Sequence, residues 1–438
     1  MNNHNLTAPQ LLSVSFLCVI ILGSLLLSLP CSSQVPTSYL DALFTSTSAV
    51  CVTGLVVVDT GTHWTCLGQT IIMLLIQIGG LGVMSFAGLF ALLLGRKIFL
   101  RERLLMQKSI NVSALGGIVK IFKYLLGFSF GVEAVGAVIL AIHWTPLMGL
   151  KKALWFGLFH SISAFNNAGF DLFGNFKNLT AFTSDITVNL VISSLIIIGG
   201  LGFYVCYEIF HIRKLGKLSL HSRVVLYTTI FLILSGMVLL FLSEYHHALK
   251  DMSLGTKFLA AYFQSVSPRT AGFNTVDLNS LLLSSQLLMI VLMFIGASPG
   301  STGGGVKTTT LALIGATVLS QLKGKRESEI FERRIESNDI YQAITVVVLA
   351  AFVLVIITYL LALTNPGSLI KIAFEVASAL GTVGLSLGIT ASLSGFGKIL
   401  IIFTMFLGRV GPLTLGFALA YKPEQPKIQY ARGKIMIG

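Results

Sequence analysis

The sequence predicts an all-α polytopic membrane protein of four helix–pore-loop–helix repeats, eight spanning helices plus four re-entrant pore helices, in a pseudo-fourfold arrangement. Three observations carry that expectation: the composition, the placement of the basic residues, and two short words that recur four times. Of 438 residues, 54% are hydrophobic and 11% charged, against roughly 25% charged in a soluble domain. A soluble core cannot hide that much apolar surface, whereas lipid can. Several apolar runs reach the roughly 20 residues a helical span requires.

A net charge of +13 would suit a nucleic-acid partner, but its distribution argues against one. Of 30 Lys+Arg, 20 lie in the stretches 96–108, 120–123, 213–223, 323–334 and 422–434, and eight lie in or beside the alternating loops. Lys307 and Arg409 fall inside apolar tracts. This asymmetry is the positive-inside bias, and it places the five stretches and both termini in the cytoplasm. Five cysteines show no metal or redox spacing. The first apolar run, 11–29, has no Lys or Arg ahead of it, and Pro30-Cys31 follows where a processing site needs small residues. It is expected to be a first span rather than a cleaved leader.

The repeats organise the rest. Ile78-Gly79-Gly80-Leu81-Gly82 returns unchanged as Ile198-Gly199-Gly200-Leu201-Gly202. Ile295-Gly296 is a third, degenerate copy, and Leu407-Gly408-Arg409-Val410-Gly411 a fourth. A second word, F-x-x-x-S-A-x-x-x-x-G, runs from Phe44 to Gly54, Phe159 to Gly169 and Phe374 to Gly384, with a version one residue shorter from Phe263 to Gly272. Successive loop glycines are 115, 103 and 112 residues apart.

The outer apolar runs of each repeat are expected to span: 9–29 and 68–95, 118–142 and 186–211, 222–243 and 284–320, 341–363 and 397–420. The segments between them, near 37–51, 151–166, 254–268 and 367–381, are too short to cross. Their helical periodicity predicts half-helices that dip in and return as a loop. Irregular backbone at membrane depth is tolerated only against protein or water, so the four loops should converge on one aqueous axis. The expected divisions are 1–110, 111–217, 218–338 with an intramembrane loop at 296–306, 339–420, and a cytosolic tail at 421–438.

The loop tips read Val52-Thr53-Gly54, Asn167-Ala168-Gly169, Thr270-Ala271-Gly272 and Thr382-Val383-Gly384. No tip sets an acid beside its glycine. That leaves main-chain carbonyls to face an ion, and four strands of carbonyls replace the hydration shell of an alkali cation. Glycine permits the positive φ that turns a carbonyl toward the axis. Thr53, Thr270 or Thr382 adds an oxygen or ties the loop down.

Through these tips, and through Arg269-Thr270-Ala271-Gly272-Phe273 and the stretch Gly296 to Gly305, the whole chain resembles the Trk/Ktr/HKT potassium transporter superfamily. With its first repeat beginning almost at residue 1, it is most similar to the membrane subunits of bacterial Ktr systems. The resemblance implies K⁺ uptake across the cell membrane, no covalently bound cofactor, and K⁺ held at the filter, with Na⁺ dependence left open. It implies a homodimer, in membrane lipid, on a cytosolic ring of nucleotide-binding KtrA-type regulatory subunits.

Gly296, Ser298, Pro299, Gly300, Ser301, Thr302, Gly303, Gly304 and Gly305 crowd one predicted span, and no continuous helix survives them. Their likeness to a phosphate-binding loop fails, because Val306 separates Gly305 from Lys307. A flexible gate beneath the filter is the expectation. Arg409 aligns with Gly80, Gly200 and Ala297 and is expected under the filter, opposing cation passage or holding the gate; charge in a span marks function. Asp41, Asp59, Asp171, Glu244, Asp251, Asp277 and Glu375 fall toward the outer side, where they would concentrate cations. Glu133 lies in a span and is expected to pair or hydrogen-bond there, and His63, His143 and His160 lack ligand spacing and are expected to be structural. The charge-dense stretch 323–339 reads as a solvated cytosolic helix. The alternatives are a Na⁺ pathway on the same fold, a secondary transporter for a larger solute, which would show inverted or paired repeats, and a polytopic membrane enzyme, for which no nucleophile–base pair or metal motif is found.

Overall fold

The computed structural model describes residues 8–82, 118–325 and 327–411. The basic stretch 96–108, the far ends of the expected 68–95 and 397–420 spans, and the tail 421–438 lie outside them. Each sequence repeat supplies a long helix, a short helix and a second helix. These are α1 (Ala8–Leu27), α2 (Tyr39–Val50) and α3 (Cys66–Leu81), then α4 (Ile118–Met148), α5 (Leu150–Phe165) and α6 (Ile186–Leu201). After α7 (Phe203–Leu215) come α8 (Leu220–Glu244), α9 (Leu254–Val266) and α10 (Leu283–Phe294). After α11 (Thr308–Leu322) come α12 (Ser337–Thr364), α13 (Leu369–Gly381) and α14 (Gly395–Val410). Ser38, Thr65, Asp185, Ser219, Ser253 and Ser394 cap helix starts, each accepting an orphan main-chain N–H.

Among the described residues, α1, α4, α8 and α12 are each long and apolar enough to cross a membrane. The second helices are shorter, with 16, 16, 12 and 16 residues, at most about 24 Å against a hydrocarbon thickness of about 30 Å. This corrects the continuous spans expected at 68–95, 186–211 and 397–420, whose helices end at Leu81, Leu201 and Val410, whereas the break in the third repeat was expected from Gly296 to Gly305. The recurring word is a terminator: Gly82, Gly202 and Gly411, its last residue each time, take φ of 87°, 95° and 91° with ψ of 134–137°. The expected 186–211 span is two helices, α6 and α7, bent by 100° at Gly202. In the third repeat, where the word is degenerate, α10 stops at Phe294 and the chain is irregular until α11.

Packing closes these pieces into a ring. Each long helix lies against the short helix of its own repeat. Each second helix packs on the short helix of the next repeat: α3 on α5, α6 on α9, α10 on α13, and α14 back on α2; α3, α6 and α14 also pack on the short helix of their own repeat. The phenylalanines of the repeated word, Phe44, Phe159, Phe263 and Phe374, are fully buried. The stretch 323–339 differs from its expected helix. It forms a two-stranded hairpin, Glu329–Ile330 against Arg333–Arg334, before α12 begins. Phe331 and Glu332 take the positive φ of its turn, and Phe331 lies under the Arg223 guanidinium and against Tyr227.

Candidate functional site

The four short helices all end at the centre of the ring, each handing over to a three-residue strand that finishes on the repeated glycine. The strands share one conformation. Val52, Asn167, Thr270 and Thr382, two residues before each glycine, have φ of 51–71°. Gly54, Gly169, Gly272 and Gly384 have φ of 70–98°. Two left-handed residues flanking an ordinary one hold consecutive carbonyls away from helical partners.

The serine of the second word fastens each strand. Ser48, Ser163 and Ser378 carbonyls accept from the N–H of Thr53, Ala168 and Val383 at 2.7–2.8 Å, and Ser267 accepts from Ala271 at 2.9 Å. Their hydroxyls finish the task. Ser48 and Ser378 accept the N–H of Gly54 and Gly384 at 3.0 Å. Ser163 and Ser267 donate to the carbonyls of Phe170 and Phe273. The residue missing from the third repeat is thus absorbed without losing the anchor.

The glycines meet. A Cβ built on Gly54 would stand 3.1 Å from Gly169 Cα, one on Gly169 2.9 Å from Gly272 Cα, one on Gly272 3.2 Å from Gly384 Cα, and one on Gly384 3.0 Å from Gly54 Cα. Each would also run into a carbonyl oxygen of the adjoining strand: Ala168, Ala271, Val383 and Thr53 in turn. A side chain at any of the four would fill the axis, in a backbone conformation that L-residues resist. The four glycines and the residues before them, Thr53, Ala168, Ala271 and Val383, are thus brought together. The short helices point their C-terminal ends at this ring, and the partial negative charge there favours a cation.

Above the ring lies a cavity of about 300 Å³ lined by all four glycines together with Asp59, Asp171 and Asp277. Burial, reinforced by the nearby Asp59 charge, pushes the Asp171 carboxyl up to about 7 despite the N–H of Phe173. Glu375 stands behind this wall and accepts from the Ser386 and Thr390 hydroxyls. Asp41 instead pairs with Lys398 at 2.6 Å, and Glu244 accepts the Leu282 N–H at 2.9 Å. Those two support the scaffold rather than the mouth.

Below the ring the Gly296–Gly305 loop wedges under the filter strands. Gly304 N–H donates to Thr382 Oγ1 at 3.0 Å, and a Cβ on Gly303 would strike Thr270 Oγ1. Thr302 and Ser298 donate main-chain N–H groups to the Gly199 and Gly200 carbonyls at 3.2 and 3.1 Å. Phe203 N–H, just past the bend, donates to Gly300 at 2.9 Å. Ser301 Oγ closes on Ser298 at 2.6 Å, and Gly296 N–H reaches Val306 at 2.8 Å. The Pro299 carbonyl sits where a side chain on Gly202 would be. Arg409 donates to the carbonyls of Thr302 in this loop and of Gly79 at the end of α3. Lys307 Nζ donates to the Gly303 carbonyl at 2.8 Å, so it faces the loop and not the cytosolic surface. Two cationic side chains thus hold the carbonyls of one loop directly beneath the glycine ring.

Sequence reasoning missed several supports. Asn167, oriented to satisfy both ends of its amide, donates to Ile196 and Ala164 and accepts from Thr270 at 3.0 Å, joining two tips. Glu133 does hydrogen-bond, but its partners are Gln77 and Asn166 beside the second tip. Paired asparagines ending two residues before a repeated glycine, and a glutamine immediately before the glycine word, were the available signals. His160 bonds the Phe156 carbonyl and the Leu172 N–H, and His143 pairs with Asp185 at 2.6 Å; both are structural.

Fold and site together define a membrane protein with a constricted axis lined by main chain, of the cation-conducting class. The chain belongs to the TrkH cation transport protein family, whose model matches residues 7–430. It is 44% identical over 434 residues to the Ktr system potassium uptake protein B of Bacillus subtilis, covering 99% of this chain and 97% of that protein. The potassium/sodium uptake protein NtpJ of Enterococcus hirae is 38% identical, covering 99% of this chain and 98% of that protein. The crystal structure of the potassium transporter TrkH from Vibrio parahaemolyticus superposes with a TM-score of 0.74 at 22% identity, covering 96% of this chain and 86% of that one, which shows a shared fold. A family of cation transport proteins sets aside the membrane-enzyme alternative.

Proposed function

We propose that this chain is the ion-conducting membrane subunit of a Ktr-type K⁺ uptake system, multi-pass in the cell membrane with both termini in the cytoplasm. The observation that supports it most is the closed ring of Gly54, Gly169, Gly272 and Gly384, each against a carbonyl of the adjoining strand. A K⁺ entering from the acidic mouth gives up water to carbonyls held by the four serine anchors, so little reorganisation is needed at the moment of dehydration. The divisions 1–110, 111–217, 218–338 and 339–420 are then four pore-loop units around one axis, with 421–438 as a tail. Residues 296–306 are the gate, and Arg409 and Lys307 pin it shut, their charges opposing cation passage while it stays in place. A homodimer on a nucleotide-binding KtrA-type ring is the assembly we assign, in keeping with relatives named as parts of a Ktr system.

A Na⁺ pathway is the second reading, favoured by the potassium/sodium name of one relative. The chain reconstituted in liposomes, with K⁺, Na⁺ and Li⁺ fluxes compared, separates the two. K⁺ flux that Na⁺ does not replace is expected. Na⁺ flux exceeding K⁺ flux establishes the second reading, and failure to move any alkali cation overturns both.

A further inference from the structure

Glu133 is a carboxylate on α4, 3% exposed, with no cationic side chain among its hydrogen-bond partners in the described residues. Gln77 Nε2 on α3 donates to both of its oxygens, at 3.0 and 3.1 Å. Asn166 Nδ2 donates to Oε1 at 2.9 Å and to Gln77 Oε1 at 2.9 Å. Asn166 is the last residue before the left-handed Asn167 that opens the second filter strand. The three side chains thus tie two repeats and a filter strand together in the protein interior, where a polar group left without partners is expensive.

The other three strands lack this device. The residues at the position of Asn166 are Cys51, Arg269 and Gly381, and those at the position of Gln77 are Ile197, Phe294 and Phe406. The fit is also specific to α3. A Cβ on Gly80 would collide with the Asn166 side chain, and the carbonyls of Gly79 and Gly80 on that same turn accept from Arg409. Scaffold packing alone does not call for a carboxylate here: the equivalent positions are filled by the Cys51 side chain, by main chain at Gly381, and by Arg269, whose guanidinium donates to the Thr229 hydroxyl.

We propose that Glu133 is a positioning residue for the second filter strand, acting through Gln77 and Asn166 to set how well the pore discriminates K⁺ from Na⁺. This rests on the pore reading above. Glu133 itself does not reach the axis; it fixes the Asn166 side chain, and with it the direction in which Asn167 and Ala168 present their carbonyls.

The test uses the full chain in liposomes, measuring K⁺ uptake and its competition by Na⁺. Glu133→Ala should raise the apparent KM for K⁺ and lower K⁺/Na⁺ discrimination, each by about tenfold, the scale of leaving a buried hydrogen-bond donor without its acceptor. Glu133→Gln keeps the Oε1 acceptor that takes both donors, and should stay within about threefold of wild type. Asn166→Ala should reproduce Glu133→Ala, and the double variant should be no worse than either, since one acts through the other. Unchanged KM and discrimination in Glu133→Ala, or additive losses in the double variant, overturn the proposal. If Glu133→Ala fails to accumulate, Gln77→Ala removes two of the carboxylate's three hydrogen bonds. It should show a smaller loss of discrimination, and none at all overturns the proposal. A wild-type chain that moves no alkali cation would instead bring down the pore reading itself.

Discussion

The glycine ring and the layer beneath it are built from the same four repeats and obey opposite rules. In the ring, four different tip sequences reach one geometry, because the work is done by main chain and a serine anchor. One layer down, the repeats diverge. Three second helices end alike, at Gly82, Gly202 and Gly411, but that of the third repeat gives way to the 296–305 loop, and that of the fourth also carries Arg409. Selecting an alkali cation requires oxygens on all sides of an axis, so symmetry is kept where the ion is stripped. Closing a path requires one obstruction, which a single repeat supplies. In the proposed pore, a repeat's departures from its siblings would mark control, and its agreements selection.

The strongest break of this comparison is Gly384→Ala. The added Cβ meets the Thr53 carbonyl at a φ of 98°, and such strain is worth about 2 kcal/mol or more. K⁺/Na⁺ discrimination in the flux assay should fall by about thirtyfold, with the protein still recovered as a folded membrane protein. Preserved discrimination would remove the ring from selection. Next, Arg409→Ala frees the Thr302 and Gly79 carbonyls and removes a charge below the ring. K⁺ flux should rise by about five- to tenfold while discrimination stays within about twofold, since the barrier and not the filter has changed. An unaltered rate would show that Arg409 is no barrier.

The smallest effect belongs to the mouth. The Asp171 carboxyl, raised to about 7, is charged above that pH and neutral below it. Lowering external pH from 8 to 6 therefore neutralises one of the mouth's three aspartates, and apparent K⁺ affinity should drop by about two- to threefold, more at low ionic strength. In Asp171→Asn the affinity should be low throughout and the pH response flat. A variant that keeps the wild-type pH response assigns it to another group.

Much of this molecule was legible before any coordinates. The four short helices fall within a few residues of their expected places, because a word ending in serine and glycine marks both helix and exit. Charge placement also served, since a lone arginine in an apolar run has few neutral explanations. What escaped the reading was termination. Ile-Gly-Gly-Leu-Gly sits inside apolar runs whose hydropathy continues past it, and hydropathy carries no information on φ. The hairpin at 329–334 escaped for a related reason: Phe331 and Glu332 are poor turn residues, and their conformation is supported by Arg223 and Tyr227, far away in sequence.

The sequence by itself determined the class, the repeat, the four glycines and the oddity of Arg409, all of which depend on local composition and spacing. The tertiary structure alone decided that the glycines touch in cyclic order, that Arg409 and Lys307 grip one loop, and that Glu133 reaches the second strand through Gln77 and Asn166. Those facts join residues up to 330 positions apart. Such contacts exist only once helices have packed and each buried polar group has found its partner.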